Sequence, residues 1–495
     1  MTPLITSFVL IAGAVLAALA ATLGMAGAVH VTNRRSRGYF HLVFYAILLV
    51  VALTSLLAGR DLSTNMINYD RPEMVVARHP VLALVQPIIS LLILTISGER
   101  IITHWLKPGY APRTPHFVFF AFVIFWLGTV GIPAVFSSHP VLSHDFIYPL
   151  VIGAAGVLVS GSERDTALRT VRDALMFFML GGLLLVPISP SVVLDTSYGQ
   201  GLIPGVPRLA GLAPHAVSMG LLSQLSLAIL LVYPYKRVAL NRLAWVVGLS
   251  VLFLAQSKTA WIAFLLCSSC IVFFRSGPTL WKTVNNPKRP EFGILVVLVF
   301  IASLLVLVTL VFFSDLDVQL NDFFATSQGA QLLSLTGRDR IWAVAYDEWQ
   351  RSPVFGYGPT MWDVTFRAAV GMPFASHAHN QFMDTLSRSG AVGAGALIIY
   401  AATLLVLSIR FTKASRGLTL ALFLGIVLRA VSEVPLLLFG YGPELIAQLI
   451  LLIVITGCAS EASEHRARAR EKVQAQANFP LHGASLQPVS MMPGR

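Results

Sequence analysis

The sequence predicts an all-α, polytopic transmembrane helical bundle of about 12–13 helices, with one large helical loop outside the membrane. Three observations predict it. Of the 495 residues, 56% are hydrophobic and 12% charged, with a mean hydropathy of +0.75, a balance foreign to a water-soluble globule of this length. The apolar runs are continuous instead of alternating as barrel strands do, and a backbone in hydrocarbon must satisfy its own polar groups, so each run reads as a helix. Lys and Arg also segregate to alternate connections, so the net charge of +12 reflects topology, which argues against a nucleic-acid partner.

The candidate spans cover residues 4–29, 40–58, 81–97, 117–136, 146–160, 174–194, 217–232, 243–256, 259–274, 293–313, 391–409, 418–438 and 445–459. Runs 146–160 and 243–256 would cross only about two-thirds of the hydrocarbon, so one of them is expected to be re-entrant or to have wider bounds. The odd-numbered connections hold nineteen cations, among them Arg34, Arg100, Arg164, Lys236, Arg275 and Arg410. The short alternate connections hold five: Arg60, Arg71, Arg78, Arg208 and Lys258. The positive-inside rule then puts the odd set in the cytoplasm and the N-terminus outside. The first span has no cationic segment before it, against a cleaved signal peptide. Residues 461–476 read as a short solvated helix in a cytoplasmic, largely disordered tail. Cys267, Cys270 and Cys458 lie in apolar runs and read as packing residues, including the C-x-x-C pair.

This divides the chain into transmembrane helices over 1–313, a long outer loop over 314–390, the last transmembrane helices over 391–459 and the tail over 460–495. The loop is too long for a simple connection and too aromatic for disorder; Trp342, Trp349, Trp362, Phe355 and Phe366 suit a packed cap over the bundle. Within it, Thr336 is placed to cap a helix that carries Arg338 and Arg340 in its first turn, where backbone N–H groups favour an anion. An arginine snorkelling to headgroups is the alternative. Further on, His379 shares a helical face with Phe382, Met383 and Leu386, Asp384 and Arg388 make an i,i+4 pair, and Gly390 suits a helix end. A histidine so held is suited to general-base chemistry, with a structural histidine as one alternative and metal binding by His377 and His379 as another, for which no third ligand is evident. Lys258 in the hairpin at 256–259 and Arg208 are lone outer cations, and Arg429 and Glu433 lie four apart inside a span, where charge is costly and points to function or to mutual neutralisation.

The ordered set Ser257-Lys258-x-Ala260, Gly337-Arg338 with Trp342, Pro353, Gly356-Tyr357-Gly358, and His379-Asn380 followed by Gly390 resembles the O-antigen ligase and exopolysaccharide polymerase superfamily of bacterial membrane glycosyltransferases. The resemblance runs from Arg208 to about residue 395. It implies transfer of a glycan from an undecaprenyl pyrophosphate carrier to a glycan or lipid-linked glycan acceptor, at the periplasmic face of the inner membrane and with no metal or other cofactor. His379 would deprotonate the acceptor and Arg338 would hold the pyrophosphate. Lys258, Arg208, Arg340, Asn380, Arg429 and Glu433 are the substrate-binding candidates. Lys258 stands where similar ligases often carry arginine, giving a point charge in place of a fork. Polymerisation of repeat units is the favoured reading. Ligation to lipid A core is the alternative within the class, and a flippase is the alternative outside it, disfavoured because polar residues concentrate in one loop instead of lining several spans.

Overall fold

The computed structural model describes residues 38–57, 60–62, 79–106, 116–196, 205–285, 338–372 and 375–477, with isolated positions beside them. Nearly all of the expected spans 4–29 and 293–313, and the cap residue Thr336, lie outside the described residues.

The described chain is a helical bundle. Seven of its helices are long and apolar enough to cross a membrane: Phe40–Leu57, Pro80–Trp105, His116–Phe136, Val238–Ala255, Lys258–Gly277, Gln381–Arg410 and Pro443–Glu471. Three shorter apolar helices accompany them, His144–Val157, Ala216–Val232 and Leu418–Ala430. Large apolar side chains such as Leu84, Ile88, Phe120, Leu265, Phe273, Ile398 and Val406 point outward from these helices, as lipid-facing positions do. The last helix runs the other way in character: its residues from Leu445 to Ser460 are almost all buried, which makes it the axis of the bundle.

Several boundaries differ from the sequence reading, each for a local reason. The expected span 174–194 is a helix over Gly161–Leu184. Ser160 and Glu163 form a capping box that starts it early, and the buried Arg164 and Arg172 are neutralised by Asp165, Glu461 and Asp173. The run 243–256 is Val238–Ala255, of 18 residues and long enough to span, whereas 146–160 contracts to an 11-residue helix, Ile147–Val157. The span 418–438 stops at Ala430, so Glu433 lies in the loop beyond it and not inside the helix. Residues 461–476 are no separate helix: they continue the last span as one helix, Pro443–Ala477.

The segment between residues 338 and 378 has its own small core. Helix α1 (Arg338–Arg351) and helix α2 (Val364–Ala369) enclose Ile341, Ala345, Met361, Trp362, Phe366, Met372, Ala375 and Ala378. Helix α3 (Gln381–Arg410) is broken at Gly390, whose φ of 60° and ψ of −158° suit glycine alone. The break admits residues 353–358, which lie across it: Tyr357 N donates to Ser387 O at 2.8 Å, Gly358 N to Arg388 O at 2.9 Å, and Ala391 N to Pro353 O at 2.8 Å. A Cβ on Gly390 would stand 2.4 Å from the carbonyl carbon of Val354, and one on Gly356 would stand 2.5 Å from that of Arg388. Two glycines of the sequence motif are thus the place where two backbones touch.

Candidate functional site

The segment 375–380 is held by the start of α3. Asn380 caps that helix, its side chain accepting from Met383 N at 3.0 Å. Asp384, 1% exposed, accepts from Ala378 N at 3.0 Å and from Arg388 Nε at 2.8 Å, while Arg388 also donates to Pro359 O. This buried pair ties the histidine segment to the motif at 356–359. From the other side, Trp342 Nε1 in the second turn of α1 donates to Ala378 O at 2.8 Å.

His379 is therefore not on the helix and does not share a face with Phe382, Met383 and Leu386. It precedes the cap in left-handed backbone, with φ of 49°. Its imidazole, and that of His377, point instead at Glu433. Glu433 Oε2 lies 3.4 Å from His377 Nε2 and 3.6 Å from His379 Nδ1, with the two rings packed edge to face at 4.2 Å between centroids. The loop carrying Glu433 is fastened here by Asn380 Nδ2 donating to Val431 O at 3.4 Å and by Leu436 N donating to Gln381 Oε1 at 2.8 Å.

One hydrogen bond fixes the tautomer of His377. His379 N donates to His377 Nδ1 at 3.1 Å, so the proton of a neutral His377 resides on Nε2, facing the carboxylate. Burial, with the neighbouring His379, pushes the His377 pKa down to about 4, so this ring is neutral at pH 7. His379 Nδ1 is buried with no partner other than Glu433, just past hydrogen-bond length. A proton on Nδ1 directed at the carboxylate leaves Nε2 as the basic nitrogen. Burial alone would raise the Glu433 pKa, but its contacts with the histidines and the charge of Arg429 hold it below the usual carboxylate range. The three side chains also form a group that could take a divalent cation, their ligand atoms lying within 4.8 Å of one another; Glu433 is the third ligand that H-x-H spacing could not supply.

Arg429, 3% exposed, occupies the last turn of its helix, and its Nε and Nη1 are buried without a hydrogen-bond partner among the described residues. It does not form a neutralising ion pair with Glu433, which turns to the histidines; Glu444 and Glu433 act on it through space only. Glu444 accepts from Ser218 Oγ at 3.1 Å. Charges of Glu444, Glu433, Arg60 and Asp195 also act on His215, whose crowded ring has a pKa lowered by lost hydration. His215, Ser218 and Glu444 are members that sequence reasoning did not single out; their signal was position, each lying just inside or before a helix start at this end of the bundle.

The other sequence candidates lie at this same end of the bundle. Arg208 is buried in a two-residue strand and its Nε donates to Ala255 O at 3.3 Å. Gln256, in left-handed backbone, makes the tight hairpin and donates from Nε2 to Val206 O at 2.8 Å, leaving Lys258 exposed at the start of its helix. Arg338 opens α1 half-buried and Arg340 is exposed. Among the described residues no hydrogen bond or ion pair joins Arg338, Arg340 or Lys258 to His379, so their convergence rests on shared location.

Residues 243–398 match the family described as O-antigen ligase. The match takes in the hairpin with Lys258, the first turn of α1, His379 and Gly390, and it ends before Arg429 and Glu433. It covers the ordered motifs from Ser257 to Gly390 but not Arg208, where the resemblance begins. No curated protein matches the chain.

Proposed function

We propose that this chain, whose residues 243–398 carry the O-antigen ligase domain, is a membrane glycosyltransferase that moves a glycan from a polyprenyl pyrophosphate carrier to a sugar hydroxyl, most simply to extend an O-antigen or exopolysaccharide chain. The observation that carries it is the His379–Glu433 contact at the same end of the bundle as Arg429, whose buried Nε and Nη1 have no hydrogen-bond partner among the described residues. His379 Nε2 accepts the proton of the acceptor hydroxyl as its oxygen forms a bond to the anomeric carbon. The bond from that carbon to the carrier phosphate breaks, and the departing pyrophosphate keeps the electron pair. Glu433 stabilises the imidazolium that results. Arg429, with Arg338, Lys258, Arg208 and Arg340 as further cations of this end, offsets the charge that grows on the leaving group, normally the larger contribution to rate.

The reaction is read as needing no metal, with the carboxylate of Glu433 serving as the charge partner of the two imidazoles it faces. The active end is read as periplasmic and the C-terminal helix as ending in the cytoplasm, from the distribution of Lys and Arg. The family description favours a second reading, ligation of finished chains to lipid A core.

Purified protein in liposomes with an undecaprenyl-pyrophosphate oligosaccharide tests the reading. Elongation of the glycan in the presence of EDTA, lost in His379→Ala and Arg429→Ala at equal abundance, is expected. Transfer only to added lipid A core selects the ligase, and activity restored solely by a divalent cation would turn His377, His379 and Glu433 into a metal site. No transfer to either acceptor sinks the proposal.

A further inference from the structure

The end of the bundle opposite to His379 holds a second built site. A cavity of about 600 Å³ there is lined by Arg164, Arg169, Arg172, Lys236, Arg237 and Arg416, with Asp165 as the acidic side chain in its wall. Cations at this end are expected from topology alone, where they would spread into solvent or among headgroups. Here they converge, from three separate parts of the chain: the start of helix Gly161–Leu184, the connection after helix Ala216–Val232, and the turn before helix Leu418–Ala430.

Two of the six are structural. Arg164 is locked by Asp165 at 2.9 Å and Glu461 at 2.8 Å, with its side chain 10% exposed. Arg172, with its side chain 9% exposed, pairs with Asp173 at 2.8 Å, donates to Tyr233 O and stacks its guanidinium 3.6 Å above the Tyr235 ring. The acid in the wall is spent as well, since Tyr233 Oη donates to Asp165 at 2.9 Å. Among the described residues, Arg169, Lys236, Arg237 and Arg416 have no side-chain hydrogen bond or ion pair. Arg416 is moreover held in left-handed backbone, with φ of 56°, next to Gly417 at φ of 89°. A side chain is seldom kept in that conformation without a return. Val232, Leu240, Leu418 and Val454 line the rest of the cavity, so the charged rim has an apolar floor.

From this geometry we infer that the cavity is a binding site for a phosphate-bearing anion, separate from the transfer site. The phosphate is carried either by an anionic phospholipid headgroup, with acyl chains on the apolar floor, or by a soluble pyrophosphate. Arg169, Lys236, Arg237 and Arg416 supply the charge, and Arg164 and Arg172 hold the walls apart.

The test uses the full-length protein in detergent and reads binding, so it stands or falls apart from glycan transfer. Native mass spectrometry measures retention of cardiolipin, phosphatidylglycerol and phosphatidylcholine, and calorimetry measures inorganic pyrophosphate. Each cation removed is expected to weaken binding roughly fivefold, so Arg169→Gln/Arg237→Gln/Arg416→Gln should lose at least about tenfold, while Lys282→Gln/Lys288→Gln/Arg468→Gln, the same charge change at residues that do not line the cavity, stays within about twofold. Retention of anionic lipid alone identifies the lipid source, and pyrophosphate binding alone the soluble one. Single variants Arg169→Gln and Arg416→Gln replace the triple if it does not elute as a monodisperse species. The inference is overturned if neither anion binds the unaltered protein better than phosphatidylcholine does, or if the control triple loses as much.

Discussion

Replacing Glu433 by Gln keeps the shape of the side chain and removes the one charge that faces both histidines. In the proposed transfer His379 becomes an imidazolium in the transition state, 3.6 Å from Glu433 Oε2, with 27% and 17% of the two side chains exposed. At an effective dielectric of about 20 that attraction is on the order of 4–5 kcal/mol. Screening at this partly open site and the amide hydrogen bond left in place offset part of it, so roughly 3 kcal/mol should be lost, or about 10²-fold in rate. The amide adds a second effect. Its NH₂ can turn towards Nδ1 and draw the proton to Nε2, the nitrogen that must be basic, which extends the expected loss in kcat towards 10⁴-fold. Initial rates of glycan elongation in proteoliposomes, at matched protein abundance and across pH 5.5 to 8.5, measure it. Glu433→Asp, which keeps the charge but shortens the reach, should recover part of the rate. Turnover by Glu433→Gln within about threefold of the unaltered protein, with the same pH profile, would refute the role of the carboxylate and with it the tautomer assigned to His379.

Two further substitutions probe what surrounds this pair. Gly390→Ala forces a side chain into backbone geometry that costs about 1–3 kcal/mol by itself and puts its Cβ 2.4 Å from Val354; limited proteolysis should show residues 352–360 newly cleaved and transfer lost, and an uncut, active variant would mean that the crossing at Gly390 does not position His379. Arg429→Met exchanges a buried guanidinium with two unsatisfied nitrogens for an apolar chain of similar length, so melting temperature should hold or rise while donor binding weakens by tenfold or more; a lower melting temperature with unchanged KM would make Arg429 a structural residue.

How much of this was legible before the fold was seen can be argued from single residues. Spans came through because continuous hydrophobicity needs no tertiary information, and the Asp384–Arg388 pair because i,i+4 spacing is local. Errors arose where a breaker or cap was overlooked. Pro435 disfavours helical backbone at Val434, so the helix holding Arg429 had a reason to end before Glu433. Asn380 is among the strongest capping residues, which already set His379 outside the helix it was assigned to. The last helix ran on through 461–476 because the chain after Pro443 meets no proline until Pro480.

What no local pattern could supply is the meeting of His379 with Glu433, 54 residues on and outside the matched segment of the family. That meeting depends on the buried axis of the bundle. Helix Pro443–Ala477 packs against the core along its first half, and the loop before it must therefore reach back over the start of α3, where Gln381 accepts from Leu436 N at 2.8 Å. Two backbone-to-side-chain hydrogen bonds, those of Gln381 and Asn380, then decide which carboxylate the histidines find. The motif supplies the histidines, but their charge partner is set by how the last two helices return to this end of the bundle, and on the proposed mechanism a substitution that loosened that return would disable His379 without touching any residue of the motif.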